Sequence, residues 1–297
     1  MLAGIAMSML MTGCARSEKT EPNAANQRYL EAWMEKNHPG ASVTDLGVYI
    51  LEDKAGTGEA LADQGYVMVS YTVSSLDGKI SSTTHKKVAQ QIGSYNSSYY
   101  YGPVTWMTIS TALPVGVEDM LKGMKVGGTR KAVVPAWLMG YDRYTNPDKY
   151  LQKSTDESNT IYTITLEGVS TDILKSQVDS MQIYSALHMN KTDSTSYGFY
   201  YQQLKEPADT HSFKADTSIY INYTGRLLNG QVFDTTIADT AKVHNIYSSS
   251  NTYSPVKITW GKSYTDLTMT ASGSSSSSSI ISGFKKTLWE MRHPYEK

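Results

Sequence analysis

Hydrophobic positions change their period several times along the chain, and each change predicts an element. Tyr29, Leu30, Trp33 and Met34 recur at the three-to-four-residue spacing that lines one face of a helix. That helix is expected to stop at His38-Pro39-Gly40, where a missing N–H and a permissive backbone both break the pattern. The segment before it, 16–26, is polar and reads as a tether. Short runs rich in β-branched and aromatic residues follow at 47–51, 66–73, 104–110, 130–135 and 161–169, and they read as strands. Within that stretch only 117–124 reads as a short helix. A longer helix is expected over 171–189, with Ile173, Leu174, Val178, Met181 and Leu187 turned toward a core. Strands resume at 198–201 and 219–228.

This layout occurs twice. Gly47-Val48-Tyr49-Ile50 matches Gly198-Phe199-Tyr200-Tyr201, and Val69-Ser70-Tyr71-Thr72 matches Ile221-Asn222-Tyr223-Thr224. Each tyrosine leads at equal spacing into a turn, Leu76-Asp77-Gly78 in one copy and Leu228-Asn229-Gly230 in the other. Asp-Gly and Asn-Gly tolerate the positive φ that tight hairpins demand. Gly116 and Met124 then bracket a helix-like segment, as Gly283 and Met291 do at the same separation. Four ordered landmarks indicate two copies of one domain. The middle loops differ: 93–102 is rich in Ser and Tyr, whereas 271–279 is almost pure Ser and reads as a mobile surface loop without chemistry.

Composition narrows the classes. The 297 residues suffice for two domains, and 22 Tyr against 4 Phe suits half-buried strands. A net charge of −1 leaves no basis for nucleic-acid binding. The one cysteine, Cys14, excludes an intrachain disulfide and any multi-cysteine metal site. It follows an apolar run and Met11-Thr12-Gly13, which resembles a bacterial lipobox, although Met11 stands where Leu is usual. The run is shorter than the ~20 residues that span a bilayer. The resemblance implies a lipoprotein signal peptide over 1–14 and lipidation of Cys14, so that membrane contact is through the lipid anchor only. Ala15 is not the Asp that retains some lipoproteins at the inner membrane, so by analogy the outer membrane is expected, on its periplasmic or surface face.

Copy two carries Tyr223-Thr224-Gly225-Arg226-Leu227, then Asn229-Gly230-Gln231-Val232-Phe233-Asp234, Pro255-Val256-Lys257-Ile258, Trp260-Gly261 and Ile280-Ile281-Ser282-Gly283-Phe284. Copy one adds Gly56-Thr57-Gly58, Gly123-Met124-Lys125-Val126-Gly127-Gly128 and Val133-Val134-Pro135. In this order the segments resemble the FKBP family of peptidyl-prolyl isomerases. The resemblance implies an α+β fold: tandem FKBP-like domains, each a twisted antiparallel sheet wrapped around a short helix. It implies a pocket with Phe284 as floor and Tyr223, Phe233, Val256, Ile280 and Ile281 as walls. Asp234 is expected at the rim, accepting from the Tyr223 hydroxyl, with the Ile281 N–H donating to a substrate carbonyl. Catalysis falls to Tyr223, Phe233, Asp234, Ile281 and Phe284, with Val256 and Ile280 binding substrate. No cofactor or metal is implied. The implied partners are proline-containing segments of exported proteins.

Other readings stand beside these. Tyr223 and Phe233 alone could be core aromatics, and Asp234 alone a turn residue. His85, His188, His211, His244 and His293 lack metal-ligand spacing, and Trp106, Trp137 and Trp260 read as packing residues. Copy one departs from the pattern: Ser81 and Ser82 replace Phe233 and Asp234, Pro114 replaces Ile281 and removes its N–H, and Val117 replaces the aromatic floor. Copy two is expected to lack the counterparts of the last two strands of copy one. The divisions expected are 1–14 signal, 15–44 tether and helix, 45–172 degenerate copy, 173–195 helical linker and 196–297 second copy, C-terminally incomplete. A non-catalytic binding module or holdase is the alternative to an isomerase, and a carbohydrate-binding lipoprotein has no motif in its favour.

Overall fold

The computed structural model describes residues 22–293 apart from 63, 110, 190–192, 197, 208 and 210. Cys14, the signal-like segment and residues 294–297 therefore lie outside the described residues.

In copy one, helix α1 (Ala24–Asn37) precedes strands β1 (Ser42–Val43), β2 (Tyr49–Lys54), β3 (Tyr66–Ser75) and β4 (Ile80–Thr83). Then come α2 (Lys86–Gln91), β5 (Val104–Met107), α3 (Val115–Leu121), β6 (Thr129–Val134), α4 (Asp148–Gln152) and β7 (Thr160–Ser170). All pairings are antiparallel, in the order β1-β2-β6-β7-β3-β4, with β5 also on β3. Alternation along the strands decides which face each residue covers. Ala132, Val134, Ile164 and Leu166 face α3, where Val115, Val117, Met120 and Leu121 complete the main core. Val133 and Ile161 face the other way and pack against Leu30 and Met34 of α1.

Helix α1 is thus part of copy one, and its start is anchored. The Asn23 Nδ2 donates to the carbonyls of Leu151 (2.9 Å) and Lys153 (2.7 Å). The polar tether expected through residue 26 therefore ends sooner, because a buried Asn23 and the helix occupy its last four positions. The helix expected at 117–124 forms two residues earlier, and Met124 lies beyond its end.

Beyond copy one come α5 (Ile173–His188), β8 (Asp193–Ser196), β9 (Phe199–Tyr201), β10 (Ser218–Ile221), β11 (Thr224–Arg226) and β12 (Val232–Thr235). These lead to α6 (Ala238–Val243), β13 (Val256–Thr259), β14 (Thr268–Thr270), β15 (Ser278–Ser279) and α7 (Ser282–Glu290). Two of the expected core positions of α5 are exposed, Leu174 at 59 % and Leu187 at 72 %. The periodicity is real, but among the described elements only the short β9 offers α5 a substantial surface. The serine run is exposed throughout, yet Ser278 and Ser279 pair with Met269 and Thr268, so its end is strand rather than loop.

From β3 to β5 many pairings and hydrogen bonds of copy one recur in copy two. A constant spacing of 152 residues relates Tyr71 to Tyr223, Thr84 to Thr236 and Tyr101 to Tyr253. Val69 pairs with Val104 as Ile221 pairs with Val256. The Tyr101 hydroxyl accepts the Asn96 N–H at 2.9 Å, as the Tyr253 hydroxyl accepts that of Ser248. The copies part after Thr108 and Trp260, where copy two inserts β14 and β15 before its helix.

One strand expected over 219–228 is two in the structure, β10 and β11, broken at Asn222 and Tyr223. In copy one β7 runs beside β3 along its whole length and keeps it continuous. Among the described residues β10 pairs only with β13, and nothing corresponds to β6 or β7. The sheet of copy two is β10-β13-β14-β15, with β11–β12 and β8–β9 as separate pairs. Helix α7 closes a smaller core of Val256, Ile258, Trp260, Leu267, Ile280 and Leu288.

Candidate functional site

The hairpin β11–β12 is the frame of the site. Its strands are tied by the Thr224 and Thr235 hydroxyls at 2.9 Å, and the Tyr223 N–H donates to Thr236 Oγ1 at 3.0 Å. These bonds hold Tyr223 and Asp234 on the same side, and the Tyr223 hydroxyl donates to Asp234 Oδ2 at 2.6 Å. Burial, the hydrogen bond and the Asp234 charge, in that order, push the Tyr223 pKa well above its ordinary value. The phenol therefore stays a donor at any physiological pH.

Phe233 lies across the backbone of Gly225. A Cβ on Gly225 would stand 2.6 Å from the Phe233 Cζ, closer than such atoms approach. Only glycine leaves the ring room there. At the far side, Ile281 precedes α7 as its N-cap (φ −59°, ψ 143°), and the first turn of the helix brings Phe284 against Tyr223, ring centroids 5.2 Å apart at 58°. Such tilted aromatic pairs are favourable contacts. No described group accepts the Ile281 N–H.

The result is a cavity of about 470 Å³. Tyr223, Phe233, Asp234, Ile280, Ile281 and Phe284 all line it, so six of the seven pocket residues expected from sequence converge. Val256 is the correction. It is 7 % exposed, part of the core behind the cavity and not of its wall, because alternation along β13 turns it inward with Ile258. Six lining residues were not expected: Thr224, Gly225, Arg226, Met269, Ser279 and Thr287. Gly225 was visible in the Tyr-Thr-Gly motif, and Arg226 stood beside it; Met269 sits on β14, which has no counterpart in copy one to signal it.

The cavity is open. Phe233 is 56 % exposed and Ile281 75 %, so two apolar side chains stand in water at its lip. In this chain copy one supplies the contrast. Ser81, Ser82, Pro114 and Val117 occupy the matching places, and Pro114 begins α3 with no N–H to offer. Val73 stands where copy two has Gly225. Trp106, the counterpart of Ile258, packs on Tyr71 at 5.1 Å. Tyr162 is half-buried beside this pair, and its loss of water contact pushes its pKa up to about 12, with Tyr141, Tyr71 and Glu157 as smaller causes.

The copies meet at the hairpin tip of copy two. Gln231 Nε2 donates to the carbonyls of Tyr99 (2.7 Å) and Ser97 (3.3 Å), and the Ser97 hydroxyl donates to the Asn245 carbonyl.

Neither a protein-family model nor a curated protein matches the sequence. Among solved structures the chain is similar to FkpA from Escherichia coli, at 23 % identity and TM-score 0.34, over 50 % of this chain and 60 % of that one. It is similar to a peptidyl-prolyl cis-trans isomerase from Pseudomonas syringae pv. tomato at 22 % identity and TM-score 0.35, over 52 % of this chain and 99 % of that one. AtFKBP13 gives 16 % identity and TM-score 0.29, over 44 % of this chain and 98 % of that one.

Proposed function

We propose that the cavity of copy two binds X–Pro segments and accelerates their cis–trans exchange. The observation that carries this reading is the open aromatic cavity itself. Tyr223, Phe233 and Phe284 give the cavity an aromatic, largely apolar wall, and the Ile281 N–H at its edge has no acceptor among the described residues. Uncatalysed exchange takes ~10–100 s, because rotation breaks the partial double bond of the amide. The planar amide is more charge-separated than the twisted one. A slot that offers the nitrogen side no polar partner disfavours the planar form relative to the twisted form, and so lowers the barrier. Donation from Ile281 to the substrate carbonyl would fix the chain while the C–N bond turns. The Tyr223–Asp234 bond keeps the tyrosine ring in place as a wall. None of these steps requires a nucleophile.

The test is exchange spectroscopy on a short X–Pro peptide. The chain is expected to speed exchange, and Phe233→Ala, Asp234→Ala and Phe284→Ala to weaken it by tenfold or more, about 1.4 kcal/mol in the barrier. Full acceleration by all three variants would refute the assignment. With Cys14 lipidated, the clients would be exported proteins folding beside the outer membrane, met on its periplasmic or surface face. A second reading, a binding module without catalysis, draws on copy one, whose frame persists with Trp106 packed on Tyr71. Client binding that survives Phe284→Ala would favour it.

A further inference from the structure

Of the twelve residues that line the copy-two cavity, only Asp234 and Arg226 are charged. Asp234 already accepts the Tyr223 hydroxyl. The Arg226 side chain has no hydrogen bond or ion pair among the described residues. Arg28 on α1 is likewise without a side-chain partner among the described residues but lines no cavity, whereas three other arginines are held. Arg130 is held by Asp53 and the carbonyls of Met120 and Lys122, Arg143 by Glu118 and the Leu113 carbonyl, and Arg292 by Glu290.

The backbone explains why Arg226 reaches the cavity. The β11–β12 register shifts between Gly225 and Arg226, with Gly225 opposite Asp234 and Arg226 opposite Val232. The extra residue is Phe233 on β12, unpaired between Val232 and Asp234, and such a bulge increases the local twist and re-aims side chains on the hairpin, where Arg226 lines the cavity. Copy one has the same shift between Val73 and Ser74, so the bulge belongs to the frame, whereas the charge belongs to copy two alone.

We propose that Arg226 makes the site selective for X–Pro segments that carry a carboxylate close to the proline. This rests on the peptide-binding reading of the cavity. A guanidinium presents a planar fork of donors that a carboxylate fits with two parallel bonds. The apolar slot holds the prolyl ring, and the unpaired fork beside it accepts an acidic side chain from a neighbouring position of the same segment. A lysine there meets like charge. Because Arg226 is exposed, the preference is modest and falls with salt.

The test uses the full chain and end-blocked peptides of sequence Ala-Xaa-Leu-Pro-Phe and Ala-Leu-Pro-Phe-Xaa, with Xaa as Glu, Gln or Lys. Exchange rates and peptide binding are both read by NMR at low and high salt. In at least one series Glu is expected to exceed Lys by about three- to tenfold at low salt, with Gln between and the gap narrowing at high salt. Arg226→Ala should level the series, and Arg226→Glu should invert it while the Gln peptide is still accelerated. Equal treatment of Glu and Lys by the native chain overturns the selectivity alone, provided the Gln peptide is accelerated. A preference that persists in Arg226→Ala also overturns it. If no peptide binds or is accelerated, the functional reading and this selectivity fall together.

Discussion

Replacing Gly225 by Val places in copy two the residue that copy one carries at the matching position. Its Cβ would lie 2.6, 2.8 and 3.1 Å from three ring carbons of Phe233, so something must move. The ring is the free end of a side chain that is already 56 % exposed, whereas the hairpin backbone is fixed by paired hydroxyls. The ring is therefore expected to swing into solvent. Full burial of a Phe is worth about 1.5–3 kcal/mol, and less than half is at stake, so about 1 kcal/mol is lost. A β-branched residue in place of glycine returns part of that, because glycine weakens a strand interior by about 0.5–1 kcal/mol. Folding stability should barely change. The cavity, by contrast, loses a wall, and peptide kcat/KM should fall by tenfold or more, about 1.4 kcal/mol. Two readings on the same samples separate these effects: thermal melting for stability, and exchange spectroscopy on an X–Pro peptide for activity. The decisive comparison is the double variant with Phe233→Ala. If the introduced valine acts by displacing the ring, the double variant is no worse than Phe233→Ala alone. Undiminished activity in Gly225→Val, or losses that simply add, would refute the reasoning.

Two further outcomes follow from copy one. Leu30 is fully buried between α1 and the sheet, so Leu30→Ala should cost about 2–5 kcal/mol and lower the melting temperature of copy one while leaving peptide exchange by copy two intact. Tyr162 has a pKa of about 12 in the fold against 10.0 for the free side chain. A raised folded value means that this stabilisation is whole below pH 10 and disappears as pH climbs toward 12. Melting curves between pH 9 and about 12 should thus fall less steeply for Tyr162→Phe than for the native chain, and identical slopes would count against the burial argument.

Much of the site was legible in the sequence because its residues lie within motifs that a hairpin and a helix start require. Phe233 and Asp234 follow the Asn-Gly turn, and Ile280 to Phe284 span the entry to α7, so short-range order carried them together. Val256 was misplaced because a position in a strand does not reveal which face meets the cavity until its partners are known. Met269 was invisible because β14 is specific to copy two. In α5, spacing marked a stripe for burial, but among the described residues Leu174 and Leu187 are exposed. The break between β10 and β11 was likewise unreadable, since a strand-like pattern does not say whether a neighbour strand supports it.

The glycine beneath Phe233 also constrains the order in which substitutions can accumulate. With Val at position 73, a Phe introduced at position 81 has no flat surface to lie on, because the two copies share register and bulge. Replacing Val73 by glycine alone weakens the strand while Ser81 has no ring to use the space. Neither single substitution builds a pocket wall. A wall like that of Gly225 and Phe233 therefore requires Val73→Gly and Ser81→Phe together at the positions 152 residues earlier.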